Sequence, residues 1–195
     1  MSDRHDLTRR DLLITAAFVP LAALAAAAQT EPLALTSEQM KTLEAFIDRL
    51  IPTDELGPGA VEARAQIYID RVLAGPNANE KAQFLEGLAA VNAFAQRTQG
   101  APLADLPAEK RDLILKAIDE DTAQGLPQGR EFFNRARRLT LEGMFGDPYY
   151  GGNGAFAGWD LIRYPGPRPA VDAEMQHMDV APAPFHHSAW GTRYK

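Results

Sequence analysis

Between residues 36 and 145 the apolar side chains recur every three or four positions and nowhere alternate, which points to packed helices and away from a sheet. Met40, Leu43, Phe46, Ile47 and Leu50 share one face of a first helix, opened by the capping-box pattern Thr36-Ser37-Glu38-Gln39 and stopped by Pro52. After the turn Gly57-Pro58-Gly59, residues Val61, Ala65, Tyr68, Ile69, Val72 and Leu73 mark a second helix, ending at Gly75-Pro76. A third starts near Asn79, turns Phe84, Leu85, Leu88, Val91 and Ala95 inward, and closes at Gly100. Pro107 suits the first turn of a fourth, with Leu113, Ile114, Ala117 and Ile118 inward and Gly125 at its end. The fifth runs from about Gly129 to Phe145, burying Phe132, Phe133, Ala136, Leu139 and Met144. The expected fold class is all-α, a small bundle of about five helices over residues 29–145. Arg135, Arg137 and Arg138 read as a solvated face of the last helix, with an anion or partner site as the sharper alternative.

Charge and cysteine content exclude several functions. A net charge of −6 disfavours nucleic acid, whose phosphates need clustered Lys and Arg. With no cysteine, the chain cannot hold a disulfide, a Cys-based zinc site, an iron–sulfur cluster or covalently attached haem. No Ser–His–Asp arrangement or paired carboxylates stand out as catalytic, and Asp54 and Asp70 read as capping and surface charge.

Residues 1–28 have the form of an export signal. Thr8-Arg9-Arg10 precedes an Ala-rich apolar stretch over residues 12–28, and small residues come before Gln29. Pro20 and the weak hydropathy of alanine favour a cleavable signal over a retained membrane anchor. The pair Arg9-Arg10 in this position resembles the twin-arginine motif, whose pathway carries folded cargo. A cysteine-free chain with no visible cofactor motif has no reason of its own to fold first. A partner loaded with a cofactor in the cytoplasm would supply that reason.

From Gly146 onward the periodicity stops. Residues 146–195 contain 8 of the 16 aromatics, both tryptophans, 7 glycines and 6 prolines. That composition suits an extended C-terminal segment ordered by a surface, whether the helical core, a partner, or both. Its densest part is Asp147-Pro148-Tyr149-Tyr150-Gly151-Gly152-Asn153, followed by Trp159 and Tyr164; these are the candidate partner-interface residues, with Tyr149, Tyr150 and Trp159 as anchors. The competing reading is a tight glycine turn docked on the bundle. A phosphate cradle or dinucleotide site fails, since no strand precedes the glycines. His177, His186 and His187, with Met175 and Met178, invite a metal reading, but adjacent histidines in an extended chain point to opposite sides.

Three stretches together resemble the gluconate 2-dehydrogenase subunit 3 family. They are the twin-arginine start; Leu50-Ile51-Pro52-Thr53-Asp54 with Gly57-Pro58-Gly59-Ala60 and Tyr68-Ile69-Asp70; and the run from Gly143-Met144-Phe145-Gly146 through Asn153 and Gly158-Trp159 to Tyr164-Pro165-Gly166. The resemblance implies a non-catalytic small subunit, without catalytic, cofactor or metal residues of its own. Its expected partner is a large flavoprotein of the glucose–methanol–choline type, which carries FAD and oxidises a sugar or polyol. A cytochrome c subunit with haem c, the twin-arginine machinery and a periplasmic location complete the implied setting. An independent enzyme or metal protein using the histidines of the tail, and an export chaperone that leaves its client, are the alternatives.

Overall fold

The computed structural model describes residues 32–168, 170–179 and 181–191. The Arg9-Arg10 signal and its expected cleavage point lie outside them. The described chain is all-α, as the periodicity predicts: α1 Ser37–Leu50, α2 Ala65–Ala74, α3 Lys81–Gln99, α4 Ala108–Asp119, α5 Gly129–Phe145 and a short α6 Ala157–Leu161. None of these helices is long and apolar enough to cross a membrane.

The capping box at α1 forms in full: Gln39 N–H donates to the Thr36 hydroxyl, and Thr36 N–H donates to the Gln39 side chain at 2.8 Å. Phe46 of α1, Phe84 of α3 and the pair Phe132 and Phe133 of α5 meet at the centre. Phe46 stands edge-on to Phe132 at 5.4 Å and to Phe133 at 5.9 Å. Helices α2 and α5 touch backbone to backbone at Gly143, where a Cβ would lie 3.0 Å from the Ala65 Cα. Only glycine lets them approach so closely.

The structure corrects three details of the sequence reading. Leu113 is 57% exposed, and Leu115 is buried instead with Ile114 and Ile118. A step of one residue turns a helix by about 100°, so the inward face of α4 centres between residues 114 and 118. The end of α4 lies well before Gly125. Asp121 takes the left-handed conformation (φ 56°), its N–H donates to Ile118 O at 3.2 Å, and Thr122 N–H reaches back to Ala117 O at 2.8 Å. This is a Schellman stop with aspartate in the usual glycine position.

Asp70 is the third correction. It is 4% exposed and carries no surface charge role. Its carboxylate accepts the N–H groups of Leu33, Ala34 and Leu35 at 2.7, 2.8 and 3.0 Å, seating the segment before α1 on α2. A buried carboxylate is tolerable when backbone donors surround it in this way.

Candidate partner interface

Residues 146–166, expected to be extended, fold into a compact knot on the end of α5. It consists of two 3-10 turns, Pro148–Tyr150 and Gly154–Phe156, and the five-residue α6. Elements this short leave no periodicity to read. Beyond them the described residues form no further regular structure apart from the 3-10 turn Glu174–Gln176.

Asn153 holds the knot together and is fully buried. Its N–H donates to Gly143 O at 2.7 Å, its Nδ2 donates to Gly146 O at 2.9 Å, and its Oδ1 accepts from Gly158 N–H at 2.9 Å. One residue thus joins α5, the loop after it and the start of α6. Gly152 packs so tightly that a Cβ would run into Gly143 O. The backbone is left-handed at Asn153 (φ 47°), Ala155 (φ 52°) and Phe156 (φ 63°). Asparagine tolerates that region, whereas for alanine and phenylalanine it costs free energy that the surrounding packing must supply.

The anchors expected from the sequence separate into two groups. Trp159 faces its own chain: it is 4% exposed, its Nε1 donates to Phe145 O at 2.9 Å, and Phe156 and Tyr164 pack on its ring at 5.4 and 5.0 Å. With Asn153 and Gly152 it shapes the surface from beneath. Tyr150 and Tyr164 are 46% and 41% exposed, and Tyr149 stands edge-on to Tyr150 at 5.2 Å. Asp147 caps the first turn through Tyr149 N–H at 2.9 Å.

Asp147 also takes the N–H of Ala189 at 2.8 Å, so the tail folds back over the knot. His186 stacks on Phe156 at 4.6 Å and lies 2.7 Å from Asp160, while His187 stacks on Phe185 at 4.2 Å. His177 follows the 3-10 turn Glu174–Gln176. Among the described residues no group of three or more His, Cys, Asp or Glu side chains is placed to hold a metal ion.

Two residues that sequence reasoning assigned to the core or passed over border this surface. Tyr68 is only partly buried and donates its hydroxyl to Glu142 Oε2 at 3.0 Å. Burial first, then that hydrogen bond, pushes its pKa up to about 12. Arg138 braces the other oxygen of Glu142 at 2.9 Å and, with Arg135, reaches Glu80 at 3.7 and 3.4 Å. The arginines of α5 that looked merely solvated therefore split: Arg135 and Arg138 are paired, and Arg137 is exposed. Arg71, one helical turn beyond Tyr68, lies against Gly151. The spacing of Tyr68 and Arg71 on α2 is the signal that could have revealed part of this face; Arg64, left-handed and just before the helix, follows no helical period.

The family profile described as gluconate 2-dehydrogenase subunit 3 matches residues 37–166, from the first residue of α1 through the knot. The chain belongs to the gluconate 2-dehydrogenase subunit 3 family. No curated protein and no solved structure matches it. Membership makes this chain a subunit of a dehydrogenase complex, in an accessory position. In this subunit 3 chain the match ends where the knot does, and the tail that carries His177, His186 and His187 lies beyond it.

Proposed function

We propose that this chain is the small, non-catalytic subunit of an exported dehydrogenase complex, bound to a large subunit of the glucose–methanol–choline type. That partner carries FAD and oxidises a sugar or polyol, and a cytochrome c subunit with haem c takes the electrons onward. The small subunit stabilises the flavoprotein and brings it through twin-arginine export to the periplasm. The observation that carries this reading is the family match, which covers the bundle and the knot as one unit over residues 37–166. The Arg9-Arg10 pair before an Ala-rich stretch supports the export part. The rigid, tyrosine-bearing knot supports the binding part, since aromatic side chains on a preformed surface are efficient partner anchors. The choice of sugar belongs to the flavoprotein.

Replacing Arg9 and Arg10 together with lysine tests the export role. Both subunits should then remain in the cytoplasm; normal periplasmic flavoprotein would refute it. Expression of the flavoprotein without this chain tests stabilisation. The lone large subunit should aggregate or lose FAD, and full specific activity at normal yield would exclude the role.

A further inference from the structure

Arg64 sits in left-handed backbone (φ 61°), where glycine would be easier. Its exposed side chain runs along Gly154, where a Cβ would lie 2.9 Å from the Arg64 Cδ. The half-buried Arg71 lies across Gly151, where a Cβ would run into its guanidinium and lie 2.9 Å from its Cδ. Glycine at these two positions leaves room for the stem of Arg64 and the head group of Arg71. Among the described residues neither guanidinium has an ion pair or a hydrogen bond, although Arg49, Arg111, Arg135 and Arg138 all pair with carboxylates. Gly151 and Gly154 belong to one turn, so both arginine side chains rest on that turn of the knot, and Tyr68 lies one helical turn before Arg71 on α2. Tyr150 borders the same face from the knot and is close enough to add to the Tyr68 shift. A chain of net charge −6 thus presents two unpartnered cations and two tyrosines in one place.

We propose that Arg64, Tyr68, Arg71 and Tyr150, over the turn at residues 151–154, form the docking surface for a carboxylate-bearing surface of the dehydrogenase's large subunit. This rests on the reading of the chain as that subunit's partner. Two planar guanidinium forks suit bidentate carboxylates, and Arg with Tyr is the side-chain composition of interface hot spots. Charge complementarity selects a protein partner over an anionic bilayer: a bilayer is negative over the whole footprint and repels the acidic remainder of the chain, whereas a protein can confine its carboxylates to the patch that meets the arginines. The strained backbone at Arg64 is consistent with selection for the guanidinium rather than for the fold.

The double variant Arg64→Gly with Arg71→Gln tests the proposal against the purified large subunit, by surface plasmon resonance at low and high salt. Affinity should fall at least about tenfold, with the gap narrowing as salt rises. The melting temperature of the isolated chain should hold or rise, since glycine relieves the left-handed position. Arg130→Glu, exposed at the far end of α5, changes the charge in the same direction and should leave binding unchanged. Equal affinity of the double variant would overturn the surface while leaving the subunit role intact. Failure of the wild-type chain to bind would overturn both. Sedimentation of the wild type, but not the double variant, with anionic phospholipid vesicles would overturn the protein partner in favour of a membrane. Should melting temperature and affinity fall together, Arg64→Lys with Arg71→Lys decides, because it keeps stems and charge but removes the forks. It should melt like the wild type and bind more weakly, and equal binding would overturn the proposal.

Discussion

Changing Asn153 to glycine removes the amide that joins α5, the loop and α6, while leaving a residue at ease with φ 47°. Gly146 O loses its donor at 2.9 Å and Gly158 N–H loses its acceptor at 2.9 Å. The position is 0% exposed, the Gly158 bond is buried and the Gly146 bond partly so. Each buried polar group left unsatisfied costs about 1–3 kcal/mol, so the pair costs about 2–6 kcal/mol. Glycine's relief of left-handed strain and its larger unfolded-state entropy act in opposite directions, each by about 1 kcal/mol, and leave that figure standing. For a domain of this size, about 2–4 °C is lost per kcal/mol, so the melting temperature should drop by at least about 4 °C. Thermal unfolding of the isolated chain followed by far-ultraviolet circular dichroism measures it, and amide exchange at Gly158 should accelerate in parallel. A shift under about 2 °C with unchanged exchange would refute Asn153 as the keystone of the knot.

The other predictions concern three side chains. Trp159→Ala should destabilise the isolated chain by about 3–5 kcal/mol and also weaken complex formation, because the ring supports the surface from beneath; an unchanged melting temperature would contradict its burial. Asp70→Asn keeps one acceptor oxygen but turns an amide donor toward the backbone donors at residues 33–35, and should cost about 2–4 kcal/mol with faster exchange at Leu33, Ala34 and Leu35. Tyr68→Phe should melt below the wild type at neutral pH through loss of the Glu142 bond. The raised Tyr68 pKa of about 12 keeps the folded-state hydroxyl protonated after the unfolded chain ionises, so its stabilisation is whole below about pH 10 and is lost towards 12. The melting difference between Tyr68→Phe and wild type should therefore narrow over that range, and a constant difference would refute the assignment.

Much of the bundle is written in local pattern. Helix α5 occupies Gly129–Phe145, the span its apolar period predicts, and Thr36 with Gln39 closes the box their spacing calls for. A helix face repeats, so several residues report the same orientation and one ambiguous position matters little. The family signature was also legible, because its glycines, tyrosines and Asn153 stand close together in the chain.

What the tertiary structure decided are the single contacts between distant segments. Whether Asp70 is a surface charge or a buried seat depends on N–H groups 35 to 37 residues away. Trp159 reads equally as a partner anchor or as a ring docked on the bundle until the Phe145 carbonyl, 14 residues earlier, is found beneath its ring nitrogen. The place of Arg64 and Arg71 beside Gly154 and Gly151 depends on a turn more than 75 residues away folding back along α2. Helical period encodes which side of an element faces inward, through many weak and redundant contacts. The partner of a buried carboxylate, an indole N–H or an unpaired guanidinium is set by one close approach, which no repeating pattern records and only the packed chain supplies.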